Sequence, residues 1–230
     1  MGTTFEEIEI AALTYIKNDV SLDWDLRYRL PVFYRRMWNY MEQALPLFNR
    51  PPTMLYRLKD YTAPSYSDVL VSASNVGLDG SVETGMTGFE ICSAGVVGED
   101  AYGDPAYTPL TVVSYDSETG AVEISGEYDD DDTIDIDFYT SGSLSATLND
   151  TEKGILAFCV YDVWEHRFDN NALERASKVR DANFTTISEA SQTQAGTARQ
   201  LQVDAQLFDK LRQYEQAAAY LDTVKNAPLF

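Results

Sequence analysis

Apolar residues between Asn149 and Phe168 recur at helical spacing: Ile155, Leu156, Phe158, Cys159, Val160, Val163, Trp164 and Phe168. They fill one wide face, which predicts a helix buried in a core of several elements, with Trp164 and Phe168 as its anchors. Asn149 can accept from the orphan amides of the first turn, and Glu152, three residues on, completes a capping box. Thr4 and Glu7 form a similar pair ahead of Phe5, Ile8, Ala12, Leu13 and Ile16, so residues 4–17 read as a first helix. Next, Leu26, Leu30, Phe33, Met37, Tyr40, Met41 and Leu45 share one side of an aromatic-rich helical stretch. Pro31 must split it into two pieces, because proline removes an internal donor and clashes with the preceding turn. A last helical pattern runs from about 185 to 223, with Ile187, Leu201 and Phe208 on a seven-residue repeat. Its first half, SEASQTQAGTARQLQ, is too polar for a core helix and belongs on a surface or against another subunit.

Between these helices the period changes to two. Asp68–Ala73, Phe89–Val97, Leu110–Tyr115, Ala121–Ser125 and Thr133–Tyr139 read as strands separated by turn residues. Asp116 to Gly120 suits a hairpin link with positive φ at its glycine. The predicted fold class is therefore α+β. A discontinuous helical bundle domain, residues 1–60 and 148–230, is interrupted by an inserted antiparallel β-sandwich or barrel-like module, residues 61–147.

Charge adds a constraint. Seventeen basic against 37 acidic residues give a formal net charge of −20, which opposes adhesion to nucleic acid or to an anionic membrane surface. Solubility alone explains such a charge, and so does a surface that DNA must pass without sticking. Against this background Arg27, Arg29, Arg35 and Arg36 cluster within ten positions, beside Trp38. Arg and aromatics are enriched where proteins meet, so these residues, with Leu201 and Phe208 on the last helix, are the candidate subunit interface; a solvated helix face is the competing reading. No stretch approaches a membrane span, and the start of the chain lacks the layout of a signal peptide. Cys92 and Cys159 stand in separate apolar segments as small hydrophobes, and their spacing implies no disulfide.

Motifs for chemistry are sparse. His166 is the only histidine, and without a Ser or Cys partner it reads as a structural imidazole. The glycine-bearing turns at 77–80 and 84–88 lack the phosphate-loop pattern, and two distant cysteines with one histidine give no basis for zinc. The run Asp129 to Asp132, followed by Asp135 and Asp137, is the one cluster of hard oxygen ligands. Asp130, Asp132 and Asp135 are the Ca²⁺ candidates, against the simpler reading of a solvated turn. Asp135 and Asp137 alternate with Ile134, Ile136 and Phe138, which places the acids on the outward strand face. No catalytic residue and no cofactor is expected.

Several strings together resemble the structural proteins of the neck, or head-to-tail connector, of tailed bacteriophages. They are Met54-Leu55-Tyr56 with Leu58 to Thr62, Thr84 to Cys92, Tyr107 to Leu110 with Ser114-Tyr115-Asp116, Asp137 to Thr140, and Trp164 to Phe168 followed by Ser177-Lys178-Val179. The resemblance implies a non-enzymatic virion component at the head-to-tail junction, made in the host cytoplasm. It implies a homo-oligomeric adaptor ring, commonly of twelve copies, between portal protein and other neck or tail proteins, with helices around a channel for double-stranded DNA and an outer β elaboration. An acidic wall would let the genome slide during ejection. The rival expectation is a β module that binds a glycan or host surface, Ca²⁺-dependent in one form, through Tyr102, Tyr107 and Tyr128.

Overall fold

The computed structural model describes the backbone of residues 2–17, 19–99, 105–178 and 189–225, and the side chains of these except 105, 168–178, 189–195 and 222–225. The fold is α+β. Its helices are α1 (Phe5–Ala12), α2 (Val20–Tyr28), α3 (Leu30–Ala44), α4 (Thr53–Leu58), α5 (Asp150–Lys178) and α6 (Glu189–Lys225). Its strands are β1 (Thr3–Thr4), β2 (Tyr61–Thr62), β3 (Ser65–Ser72), β4 (Ser81–Glu83), β5 (Ile91–Glu99), β6 (Pro105–Asp116), β7 (Ala121–Ser125), β8 (Thr133–Thr140) and β9 (Ser143–Leu144). They form a six-stranded antiparallel sheet and a small three-stranded one of order β1-β9-β2.

The chain divides into two compact units, each assembled from separated segments. The first holds Met1–Lys17, Asn39–Tyr61 and Leu144–Phe230, and the second holds Asn18–Trp38 and Thr62–Ser143. The segment 18–38, expected in the helical domain, thus clusters with the strands. The cause is polar and aromatic: Arg29 reaches Asp135 and Asp137, Arg35 lies over the Tyr66 ring, and Tyr34 stacks on Tyr139 with ring centroids 5.0 Å apart.

In the helical unit, α1 packs on α5, and α5 on α6. Phe5, Ile8 and Ala12 are among the buried residues of α1, and Leu156, Val160 and Trp164 among those of α5. Tyr15 meets Phe158 edge-on at 5.2 Å, and Trp164 stacks on Tyr161. The start of α5 is the capping box read from sequence: the Glu152 amide donates to Asn149 Oδ1 at 2.9 Å, and the Asn149 amide to Glu152 Oε2 at 2.8 Å. The corresponding pair at α1 does not form. Thr4 occupies the N-cap position without a side-chain bond, and the Glu7 carboxylate pairs instead with Lys153. α1 also stops at Ala12, short of the expected Lys17.

The second unit is a curled half-barrel with strand order β3-β8-β5-β6-β7-β4. One face buries Val82, Ala94, Leu110, Val122, Ile124, Ile134, Ile136 and Phe138, the period-two positions of their strands. β6 and β7 form the expected hairpin, with Gly120 at φ 77°. The sheet is a single curled layer, which fits the barrel-like form of the expected module and not the two-layered sandwich. Asp19 caps α2 by accepting from the amides of Ser21 and Leu22, both at 3.1 Å. Pro31 sits in the first turn of α3, where its missing amide costs nothing, so the stretch forms two helices.

Candidate functional site

Two polar centres stand out, one in each unit. In the half-barrel, the strand alternation of β8 aims Asp135 and Asp137 away from the apolar face, as the sequence implies. The α2–α3 segment covers that side, and Asp137 is wholly buried. Arg29, between the two helices, donates from Nε to Asp137 Oδ2 at 2.9 Å and from Nη2 to Asp135 Oδ2 at 2.7 Å. The Tyr66 hydroxyl donates to Asp137 Oδ1. Tyr107 lies 4.1 Å from the Arg29 guanidinium and meets Trp24 edge-on. Gly95 makes room for it, since a Cβ there would come within 2.2 Å of the Tyr107 ring. Burial works against the Arg29 charge, but the hydrogen bond and charge of Asp137 outweigh it and hold its pKa above the ordinary value. Burial, reinforced by Asp137, raises Asp135 above the usual carboxylate range despite Arg29.

This geometry redistributes the sequence candidates. Arg29 is an internal anchor of its unit, and Arg36 pairs with the buried Asp25. Arg27 is exposed, Arg35 is exposed over Tyr66, and Trp38 is half-buried. The Ca²⁺ candidates do not converge. Asp135 is held by Arg29, while Asp132 Oδ2 accepts the Asp129 amide at 2.8 Å in an exposed turn that leaves Asp130 in solvent. Tyr107 and Tyr128 are half-buried in the half-barrel unit, and Tyr102 lies outside the described residues.

The second centre is the seam between α5 and α6. The two helices run antiparallel, because Glu152 meets Tyr214, Asp162 meets Asp204 by way of His166, and Glu165 meets Arg199. At one end Glu152 Oε1 accepts from the Tyr214 hydroxyl at 2.6 Å and from Arg57. Burial alone would raise the Glu152 pKa, but the hydrogen bonds from Arg57, Tyr214 and the Asn149 amide hold the carboxyl below its usual range. Burial and the Glu152 carboxylate push the Tyr214 hydroxyl up to about 12.

Midway along the seam, Asp162 and His166 stand one turn apart on α5, facing Asp204 of α6. The His166 Nδ1 lies 2.8 Å from the Asp162 carbonyl oxygen, which fixes the ring with Nε2 toward Asp204 Oδ1 at 3.5 Å. One ligand atom from each of the three residues lies within 4.8 Å of the others. The Asp162 side chain is about nine-tenths buried, and its Oδ1 accepts no hydrogen bond from the described residues. Burial pushes Asp162 up to about 6, with His166 opposing and Asp204 reinforcing the shift. His166, a lone structural imidazole by sequence, thus has two carboxylate neighbours. The local signal was the Asp-x-x-x-His spacing of residues 162–166, and the third member, 38 residues further on, had no signature.

Of the remaining candidates, Trp164 is 2% exposed, and Phe168 lies in α5 with its side chain outside the described residues. Leu201 and Phe208 are 63% and 49% exposed on α6, with the Arg50 guanidinium 4.9 Å from the Phe208 ring. Cys159 is buried and Cys92 half-buried, both as free thiols. No helix among the described residues is long and apolar enough to cross a membrane. No family model, no curated protein and no solved structure matches this chain.

Proposed function

We propose that this chain is a non-enzymatic virion structural protein, a ring-forming adaptor at the head-to-tail junction of a tailed bacteriophage. The observation that carries the reading is the two-sided character of α6. Val203, Leu207 and Leu211, spaced by four, are buried against its own unit. Leu201 and Phe208, seven residues apart and so one above the other, lie about 110° round the helix from that buried line and face solvent, and Tyr220 and Leu221 are exposed near the end of the helix. A helix of 37 residues with apolar groups on an uncovered side is suited to packing against another subunit. The helical unit is then the bundle that supplies contacts between copies and with portal or tail proteins, and the half-barrel is an elaboration carried on it.

The net charge of −20 supports the same reading. Acidic walls repel the phosphate backbone and release no counterions to it, so duplex DNA passes without being held. The protein would reside in the virion after assembly in the host cytoplasm.

The test is mass measurement of the purified chain, alone and mixed with portal and tail proteins of the same virion. The expected outcome is a closed homo-oligomer, with twelve copies the leading stoichiometry, that binds portal rings, and Leu201→Asp with Phe208→Asp should reduce it to smaller species. A strict monomer that ignores both portal and tail rings would sink the proposal.

A further inference from the structure

We propose that Asp162, His166 and Asp204 form a binding site for a divalent first-row transition ion, Zn²⁺ foremost, that braces α5 to α6. Such a site requires no role at a virion neck.

Geometry comes first. Three side chains of the types that ligate metals converge from two helices, with their ligand atoms within 4.8 Å of one another. Ligands at about 2.0–2.2 Å from a Zn²⁺ ion stand about 3–4 Å apart, so closing the site needs shifts of about an ångström. Asp204 and His166 have 48% and 41% of their side chains exposed, and they can make that adjustment by small rotations. Asp162 supplies the rigid corner, set in the buried face of α5.

The chemistry of the donors agrees. His166 turns its Nδ1 to the Asp162 carbonyl, which fixes the tautomer that donates there and leaves the Nε2 lone pair for a cation; this is the outer-sphere hydrogen bond that metal-bound imidazoles make. Asp162 Oδ1 is the independent sign. A carboxylate oxygen buried without a donor bears a desolvation cost that a cation would relieve, and among the described residues no Lys or Arg is paired with it. One imidazole with two carboxylates suits a borderline ion better than Ca²⁺ or Mg²⁺, which prefer all-oxygen shells. Three protein ligands leave further positions for water on the exposed side.

The experiment uses the full chain, stripped with a chelator and titrated with Co²⁺ alone, read by visible ligand-field absorption, then challenged with Zn²⁺. Saturation at one Co²⁺ per chain and its displacement by Zn²⁺ are expected. Asp204→Asn and His166→Gln should each weaken binding at least tenfold while circular dichroism stays helical, and Asp130→Asn with Asp132→Asn should leave it unchanged. The absence of a Co²⁺ spectrum would mean that a proton bridges the carboxyls and would overturn the proposal. A titration unchanged in Asp204→Asn and His166→Gln would place the ion elsewhere and overturn it equally.

Discussion

Glu9 is the residue most at odds with its surroundings. It sits on the buried face of α1, fully inaccessible, and among the described residues neither carboxylate oxygen has a hydrogen-bond partner. Burial, aided by the neighbouring Glu6, pushes its pKa from 4.5 up to about 8. The unfolded chain releases this proton near the ordinary value and the folded chain only near 8, so between those limits the native state binds the extra proton. Its contribution to stability is therefore complete at acid pH and is lost as pH rises through about 8, at about 1.4 kcal/mol per pH unit. Glu9→Gln removes the titration. Urea unfolding should show the variant gaining about 2 kcal/mol on the wild type between weakly acid and weakly alkaline pH, whereas parallel profiles would exclude a buried titrating Glu9. Arg29 presents the opposite case, a charge answered in full. Asp137 is buried beneath it, so Arg29→Ala strands a carboxylate that keeps only the Tyr66 hydroxyl and a distant Ser93, and should cost about 3–5 kcal/mol in urea unfolding. The double variant with Asp137→Asn should recover part of that loss, because the stranded charge is then gone.

Among the elements, α5 shows how far local pattern reaches. Its capping box and its apolar face, Trp164 included, are legible because the cap pair and the helical spacing are both contained within a few residues along the chain. What Glu152 does beyond the cap is invisible at that range, since Arg57 and Tyr214 arrive from 95 and 62 residues away. The two roles separate by mutation. Asn149→Ala removes only the cap and should cost about 1 kcal/mol, while Glu152→Ala also leaves the Tyr214 hydroxyl without its acceptor and should cost about 2 kcal/mol or more, measured by thermal unfolding. Equal losses would mean that the Arg57 and Tyr214 bonds contribute nothing. The strands divide in the same way. Ala121–Ser125 and the hairpin before it could be read directly, because turn chemistry and alternation are local. The pairing of β8 between β3 and β5 could not, since alternation identifies a strand but not its neighbours. The four arginines, which share one stretch of sequence, divide in the structure for a related reason: Arg29 and Arg36 pair with carboxylates of their own unit, while Arg27 and Arg35 stay exposed. A cationic face on a helix pattern looks solvated until the strand carrying Asp135 and Asp137 is known to lie beneath it.

For the molecule as a whole, the deciding quantity is a formal charge of −20 on 230 residues. Copies that carry such a charge repel one another, and closing them into a ring must overcome that repulsion with apolar contacts such as those offered by Leu201 and Phe208. Salt acts on the two terms unequally. At low ionic strength of about 0.01 M the screening length is about 30 Å, and it falls to about 10 Å at 0.1 M and about 3 Å at 1 M. Apolar burial does not weaken over this range. Assembly of the proposed ring should therefore strengthen with added NaCl, the reverse of what contacts dominated by Arg–carboxylate pairs between copies would give. Sedimentation velocity at fixed protein concentration distinguishes the two: a population moving from monomer to oligomer as salt rises supports the apolar face of α6 as the joint. Dissociation on adding salt would assign the joint to charge pairing, with the exposed Arg27 the first residue to replace. The Leu201→Asp and Phe208→Asp variant should stay monomeric at every salt concentration, because it adds charge to the surface whose burial drives closure.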